Sequence, residues 1–141
     1  MRGNMAMQGV EFFRAGHQLL AILVRATASS EDKYNFLTEQ SEPLQLGMNF
    51  YQAGDSIKSH THLRRDIHID RIQEALIVSK GRTRLTLYDS DRNQAGETVL
   101  TTGDIVLLLS GGHGFEILED TKIVEVKQGP YDGKTQDKVG I

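Results

Sequence analysis

His60 and His62 are separated by Thr61 alone, and twelve positions after His62 Glu74 opens the apolar run "EALIVSKG". A third histidine, His113, stands far downstream in "GGHGFEIL". Imidazole nitrogen and carboxylate oxygen are donors that divalent metals accept. On a strand, side chains two apart share a face. His60 with His62, Glu74 with Leu76 and Val78, and His113 with Phe115 and Ile117 then form three one-sided sets. Turned toward one interior, three imidazoles and one carboxylate converge among apolar side chains. An unpaired charge is costly in such a place. A divalent cation removes that cost by taking neutral imidazole and ionised carboxylate at about 2.0–2.2 Å, leaving one or two positions for water or substrate. Register decides which residue takes part, because a slip of one residue turns Glu74 outward and Gln73 inward.

The elements that must position these residues are short strands. Fourteen glycines and only two prolines, Pro43 and Pro130, punctuate the chain between β-prone runs. "VEFF" and "QLLAILVRA" read as strands near the start, the second also compatible with a short helix. "SSEDKYNFLTEQSEP" reads as loop, and "LQLGMNFY" alternates up to a turn at "AGD". "EALIVSKG" is a β run closed by glycine. "RTRLTLYDSDRNQAGETVL" has the form of a hairpin, alternating from Arg82 to Tyr88 and turning through Asp, Ser, Asn and Gly. "GDIVLLLSGGHGFEIL" and "TKIVEVKQGP" supply further strands. Runs this short need a closed or double-layered sheet to hide their edges, so an all-β sandwich or barrel is expected.

In order and spacing the candidate residues resemble the cupin superfamily. Gly54, "DSIKS", His60-Thr61-His62, then Glu74, "ALIVSK" and Gly81 follow its first motif. Gly103-Asp104, "IVLLLSGG" and His113 follow its second. The likeness covers residues 44–126. Together "GGHGFEIL" and "VEVKQGPYDGKTQDK" also resemble a group of small single-domain bacterial cupins. Two departures stand out. The insert "LRRDIHIDRIQ" between His62 and Glu74 is longer than the family's spacer, and "LLLSGGH" lacks the family's proline. The resemblance implies an all-β fold: a single jelly-roll barrel (double-stranded β-helix) over residues 44–141. Residues 1–43 are then an extension whose strands pack on the barrel or on a dimer partner. It also implies one divalent metal ion (Fe, Mn, Ni or Zn) held by His60, His62, Glu74 and His113. The step from Glu74 to Gly81 matches the motif, which favours Glu74 over Gln73.

Each residue also has a plainer reading. His-x-His occurs on exposed strands, Glu74 could be solvated, and His113 could cap a glycine turn. His68 reads as a loop residue and His17 as structural. Arg64 and Arg65 are either a guanidinium clamp for an anionic ligand or loop charges paired with Asp66 or Asp70. Tyr51 lines the cavity or simply packs, and Phe115 shares the face of His113, so both are candidates for substrate contact. Lys127 and Tyr131 are minor candidates for closing one end of the barrel.

The bulk numbers narrow the function classes. The 141 residues make about one domain. At 38% apolar and 25% charged, with a formal charge of −3 and no long run of one sign, the chain argues against a nucleic-acid partner. No cysteine is present, which rules out disulfides and thiolate sites. The apolar run from Leu19 to Val24 is too short to span a bilayer and lacks the form of a secretory signal. A cytoplasmic protein with a leader over residues 1–8 is therefore expected, with no membrane partner. The expected function is metalloenzyme chemistry on a small organic molecule, either oxygenase-type or Lewis-acid. The alternative is a non-catalytic protein that binds a small ligand or serves as an accessory subunit. The strand-like runs before residue 44 suggest a homodimer.

Overall fold

A computed structural model of the protein describes residues 7–141, except for the side chains of Thr135 and Gln136. The expected leader thus lies outside the described residues up to position 6, and Gln8 already belongs to a strand. Ten strands follow: β1 (Gln8–Ala15), β2 (Gln18–Ser29), β3 (Tyr34–Phe36), β4 (Gly47–Asn49), β5 (Glu74–Lys80), β6 (Arg82–Tyr88), β7 (Gln94–Thr101), β8 (Ile105–Leu108), β9 (Gly112–Ile117) and β10 (Lys122–Lys127). One helical turn, α1 (Lys134–Asp137), comes after them. No described helix is long and apolar enough to cross a membrane.

The strands form three layers. A five-stranded sheet, β1-β2-β8-β5-β10, faces a three-stranded sheet, β7-β6-β9, and β3 pairs with β4 alone. Every described ladder is antiparallel. Alternation explains the layering. In β5, Leu76 and Val78 point inward to meet Leu85 and Leu87 of β6 and Leu100 of β7. The opposite face of the same sheet carries Ile22 and Leu107, covered by Leu37, Leu44, Leu46 and Met48 from the β3–β4 layer. "QLLAILVRA" is a strand because both of its faces are buried. An unbroken apolar run is what a strand covered on both sides requires. β1 and β2 belong to the main sheet, where β2 pairs with β8. The loop expected from "SSEDKYNFLTEQSEP" contains β3, a strand of only three residues.

The hairpin expected from Arg82 onward is present as β6 and β7. Asp89 organises its turn, accepting hydrogen bonds from the backbone N–H groups of Asp91 and Asn93, each at 2.9 Å. Gly81 joins β5 to β6 at φ +93, and a Cβ there would collide with the carbonyl oxygen of Asp120. This explains why the apolar run must close on glycine.

The expected closed barrel is not formed. β9 is paired with β6 on one side only, and no described ladder joins the two large sheets. The segment expected to supply the His-x-His strand, residues 50–72, contains no strand and is exposed at every position. Its backbone groups join no described ladder, although Phe50 N–H donates to the carbonyl of Lys33 and a turn closes from Gln52 to Asp55.

Candidate ligand-binding site

The strand register brings Glu74 and His113 together. Glu74 is the first residue of β5 and lies opposite Leu108 of β8 and Lys127 of β10. His113 lies on β9 opposite Leu87, whose side chain is in the inter-sheet core. Residues paired across a ladder share a face, so both side chains enter the gap between the sheets. Nε2 of His113 is 3.3 Å from Oε2 of Glu74. Phe115, half-buried against the core, meets the imidazole edge-on with ring centres 5.8 Å apart. It fixes the ring from the side.

Lys127 completes the cluster. Its Nζ lies 3.7 Å from Oε1 of Glu74, 3.5 Å from Glu125 and 3.0 Å from Asp137, and 5.1 Å from the ring centre of Tyr131. The adjoining imidazole of His113 holds the Glu74 carboxyl below its ordinary range. Burial opposes this, while the positive charges of His113, Lys127 and Lys138 add to it. Lys127 is raised by its hydrogen bond to Asp137, against some desolvation, with the charges of Asp137, Glu74 and Glu125 adding to the rise. Glu74 is therefore an ionised carboxylate at neutral pH, able to hold a cation.

The pair lines a cavity of about 730 Å³. Its other walls come from Ile72, Leu108, the hairpin residues Tyr88, Asp89, Ser90 and Arg92, the turn from Ser110 to Gly114, and the chain from Asp137 to Ile141. Gly111 sits at φ +73, where a Cβ would collide with the carbonyl of Tyr88; a Cβ on Gly112 would collide with Ile141. The glycines beside His113 thus let the hairpin and the tail approach the site.

The other expected site residues lie elsewhere. His60 and His62 are on the exposed segment, their rings edge-to-face with centres 5.3 Å apart. Nδ1 of His60 is 2.9 Å from the carbonyl oxygen of Lys58. Among the described residues no three His, Asp or Glu side chains gather as a ligand set, so the four expected donors are present as two separate pairs. Tyr51 packs edge-on against Tyr34 with Lys33 over its ring, and it is not part of the cavity wall. Arg64 and Arg65 are exposed and form no ion pair among the described residues. Asp70 is taken by Arg71. His68 is exposed in the same segment, as the sequence suggested.

Gln73, the alternative to Glu74, has a structural role. It is 1% exposed and lies on the far side of the sheet. There its Oε1 accepts from the N–H of Leu44 at 3.0 Å, and its Nε2 donates to Glu42 at 2.6 Å and to the carbonyl of Leu109 at 3.3 Å. The placement of Lys127 next to Glu74 was not legible in the sequence, because it depends on the β5–β10 register. The tail wall from Asp137 to Ile141 left no sequence signal at all.

Comparison with known protein families, with curated proteins and with solved structures finds no match to this chain.

Proposed function

We propose that the protein is a cupin-like metal protein acting on a small organic molecule bound in the cavity between its sheets. Glu74 and His113 are the fixed half of the metal site, and His60 and His62 are the half carried by the exposed segment. The observation behind this reading is the 3.3 Å approach of His113 to Glu74. Two residues from distant segments, in the order the motifs require, meet on the wall of a ligand-sized cavity. One carboxylate and one imidazole fall short of the three or four protein ligands that such sites use. The set is complete only when the second histidine pair joins it.

A divalent ion at this place supplies Lewis-acid polarisation of a substrate oxygen, or redox chemistry if it is iron. The chain's own residues do the rest. Lys127 and Phe115 stand behind the cavity wall, where they hold the Glu74 carboxylate and the His113 ring, while Ile72 and Leu108 exclude water from one wall. Arg64 and Arg65 sit next to the His60–His62 pair and provide a cationic grip when that segment approaches. Elemental analysis of protein purified without chelator tests the reading. His60→Ala and His113→Ala should each lower the metal-to-protein ratio several-fold, and an unchanged ratio in both variants rules the site out.

A second reading follows from the neighbours of Glu74. Its carboxylate already has an imidazole and an ammonium beside it, so the cavity can serve as a metal-free site for a small polar ligand. Ligand binding that survives exhaustive chelation favours this non-catalytic role.

A further inference from the structure

The cavity wall carries three carboxylates, and the fold already compensates each of them. Glu74 has His113 and Lys127 beside it, and Asp137 pairs with Lys127 at 3.0 Å. Lys138, also on the wall, adds its charge to those that hold Glu74 ionised. Asp89 is occupied by the hairpin turn. Its Oδ1 accepts from Asp91 and Asn93 N–H, and its Oδ2 lies 3.5 Å from the Asn93 amide nitrogen. The hydroxyls are committed as well: Ser90 donates to Gln18 at 2.9 Å and Ser110 to the carbonyl of Leu19 at 2.7 Å. Arg92 is left over. Its guanidinium makes no ion pair or hydrogen bond among the described residues, yet it belongs to the wall.

The turn gives no reason for an arginine at this position. Arg92 has φ 67, a left-handed conformation that glycine or asparagine adopts more easily than a bulky side chain. Only its backbone N–H serves the turn, donating to the carbonyl of Asp89 at 3.1 Å. The wall also holds apolar groups: buried Leu108 and the exposed Ile72, Val139 and Ile141. Apolar side chains exposed around one concavity mark a binding surface. One uncompensated guanidinium in such a wall fits a ligand with an apolar body and a single negative charge. A carboxylate presents two oxygens to the guanidinium fork. A phosphate would bring further charge toward Glu74, Asp89 and Asp137, with Lys127 and Lys138 already engaged by Glu74.

We infer that the cavity takes a small organic acid with an apolar body, and that Arg92 holds its carboxylate and so sets a preference for acids. The inference rests on the ligand lying in this cavity, as proposed above, and not on the metal.

Phenylacetate and its neutral counterpart phenylacetamide are the probes, titrated into the full chain with and without chelator. Binding is followed by the amide resonances of Gly112 and Gly114 on the wall. The acid should bind about tenfold more tightly than the amide. Arg92→Gln should remove that preference, weakening the acid about tenfold and the amide less than about twofold, with circular dichroism unchanged. Arg92→Lys keeps the charge without the fork and should fall between. Equal affinity for acid and amide, binding of neither, or a preference that survives Arg92→Gln overturns the inference. The metal reading is decided separately. An Arg92-dependent preference upholds the inference even where His60→Ala and His113→Ala leave the metal content unchanged, a result that removes the metal reading. Metal loss in those two variants without any preference for the acid does the reverse.

Discussion

The Arg25–Asp104 corner and the Glu74–His113 margin each hold a carboxylate where the two large sheets meet, but only the first is saturated. Asp104 is 2% exposed and accepts from Ala26 N–H, Thr101 N–H and the Arg25 guanidinium, at 2.9, 2.9 and 3.0 Å. Arg25 in turn donates to the carbonyl of Val99 and to Thr98 on β7, and pairs with Glu11 on β1. Both oxygens of Asp104 and all three guanidinium nitrogens of Arg25 are engaged with other parts of the fold, so the corner ties β2 to β7. Glu74 has its imidazole and ammonium partners on one side and a cavity on the other. A buried carboxylate whose donors all come from the fold is part of the scaffold. One that keeps an open side is available for binding.

Substituting the two carboxylates separates these roles most sharply. Asp104→Ala leaves the N–H groups of Ala26 and Thr101 without their acceptor and takes from Arg25 one of its two carboxylates, each lost bond costing about 1–3 kcal/mol. Urea unfolding should show a lower midpoint at unchanged slope, with the folded fraction still binding metal. Glu74→Gln should do the opposite, losing metal with little change in the midpoint. If Glu74→Gln proves as damaging to stability as Asp104→Ala, the contrast fails.

A smaller effect is expected one residue earlier in the chain. Gln73→Ala removes hydrogen bonds to Leu44, Glu42 and Leu109 in a buried setting, for a loss of about 1–3 kcal/mol. Metal content should not change, because the side chain is on the other face of the sheet. A metal loss equal to that of Glu74→Gln would mean that the register is read wrongly.

The mildest test is a titration. Glu74 has a depressed carboxyl, so its contribution to stability is full above the ordinary glutamate value of 4.5 and fades as pH falls through the depressed native value. His113→Ala should raise the Glu74 titration toward the ordinary value, as followed by carboxyl carbon NMR. No movement would show that the His113 imidazole is not what holds the carboxylate ionised.

Much of this was legible in local pattern. Glycine-punctuated runs gave the strands, and the alternation of "RTRLTLY" with its Asp-rich turn gave the β6–β7 hairpin. Period-two faces put Glu74 with Leu76 and Val78, and His113 with Phe115. Other features were not legible for physical reasons. The "LQLGMNFY" alternation yields only a three-residue strand, because β4 has β3 as its sole partner. Residues 60–62 were expected to form a strand, but a strand needs a ladder, and whether an edge is within reach is a property of the whole chain. Lys127 reads only as a minor candidate for closing one end of a barrel until the β5–β10 register sets it beside Glu74.

The sequence by itself determined the strands of the two large sheets, their inward and outward faces and the chemical kinds of the candidate donors, because these depend on neighbours one to four residues away. Only the tertiary structure decided that the sheets stay open beside β9, that Gln73 clamps one face while Glu74 serves the other, and that the four expected donors stand as two pairs. Those outcomes depend on which strand edges meet. Pairing between residues tens of positions apart is set by the packing of the whole core, and no local pattern encodes it.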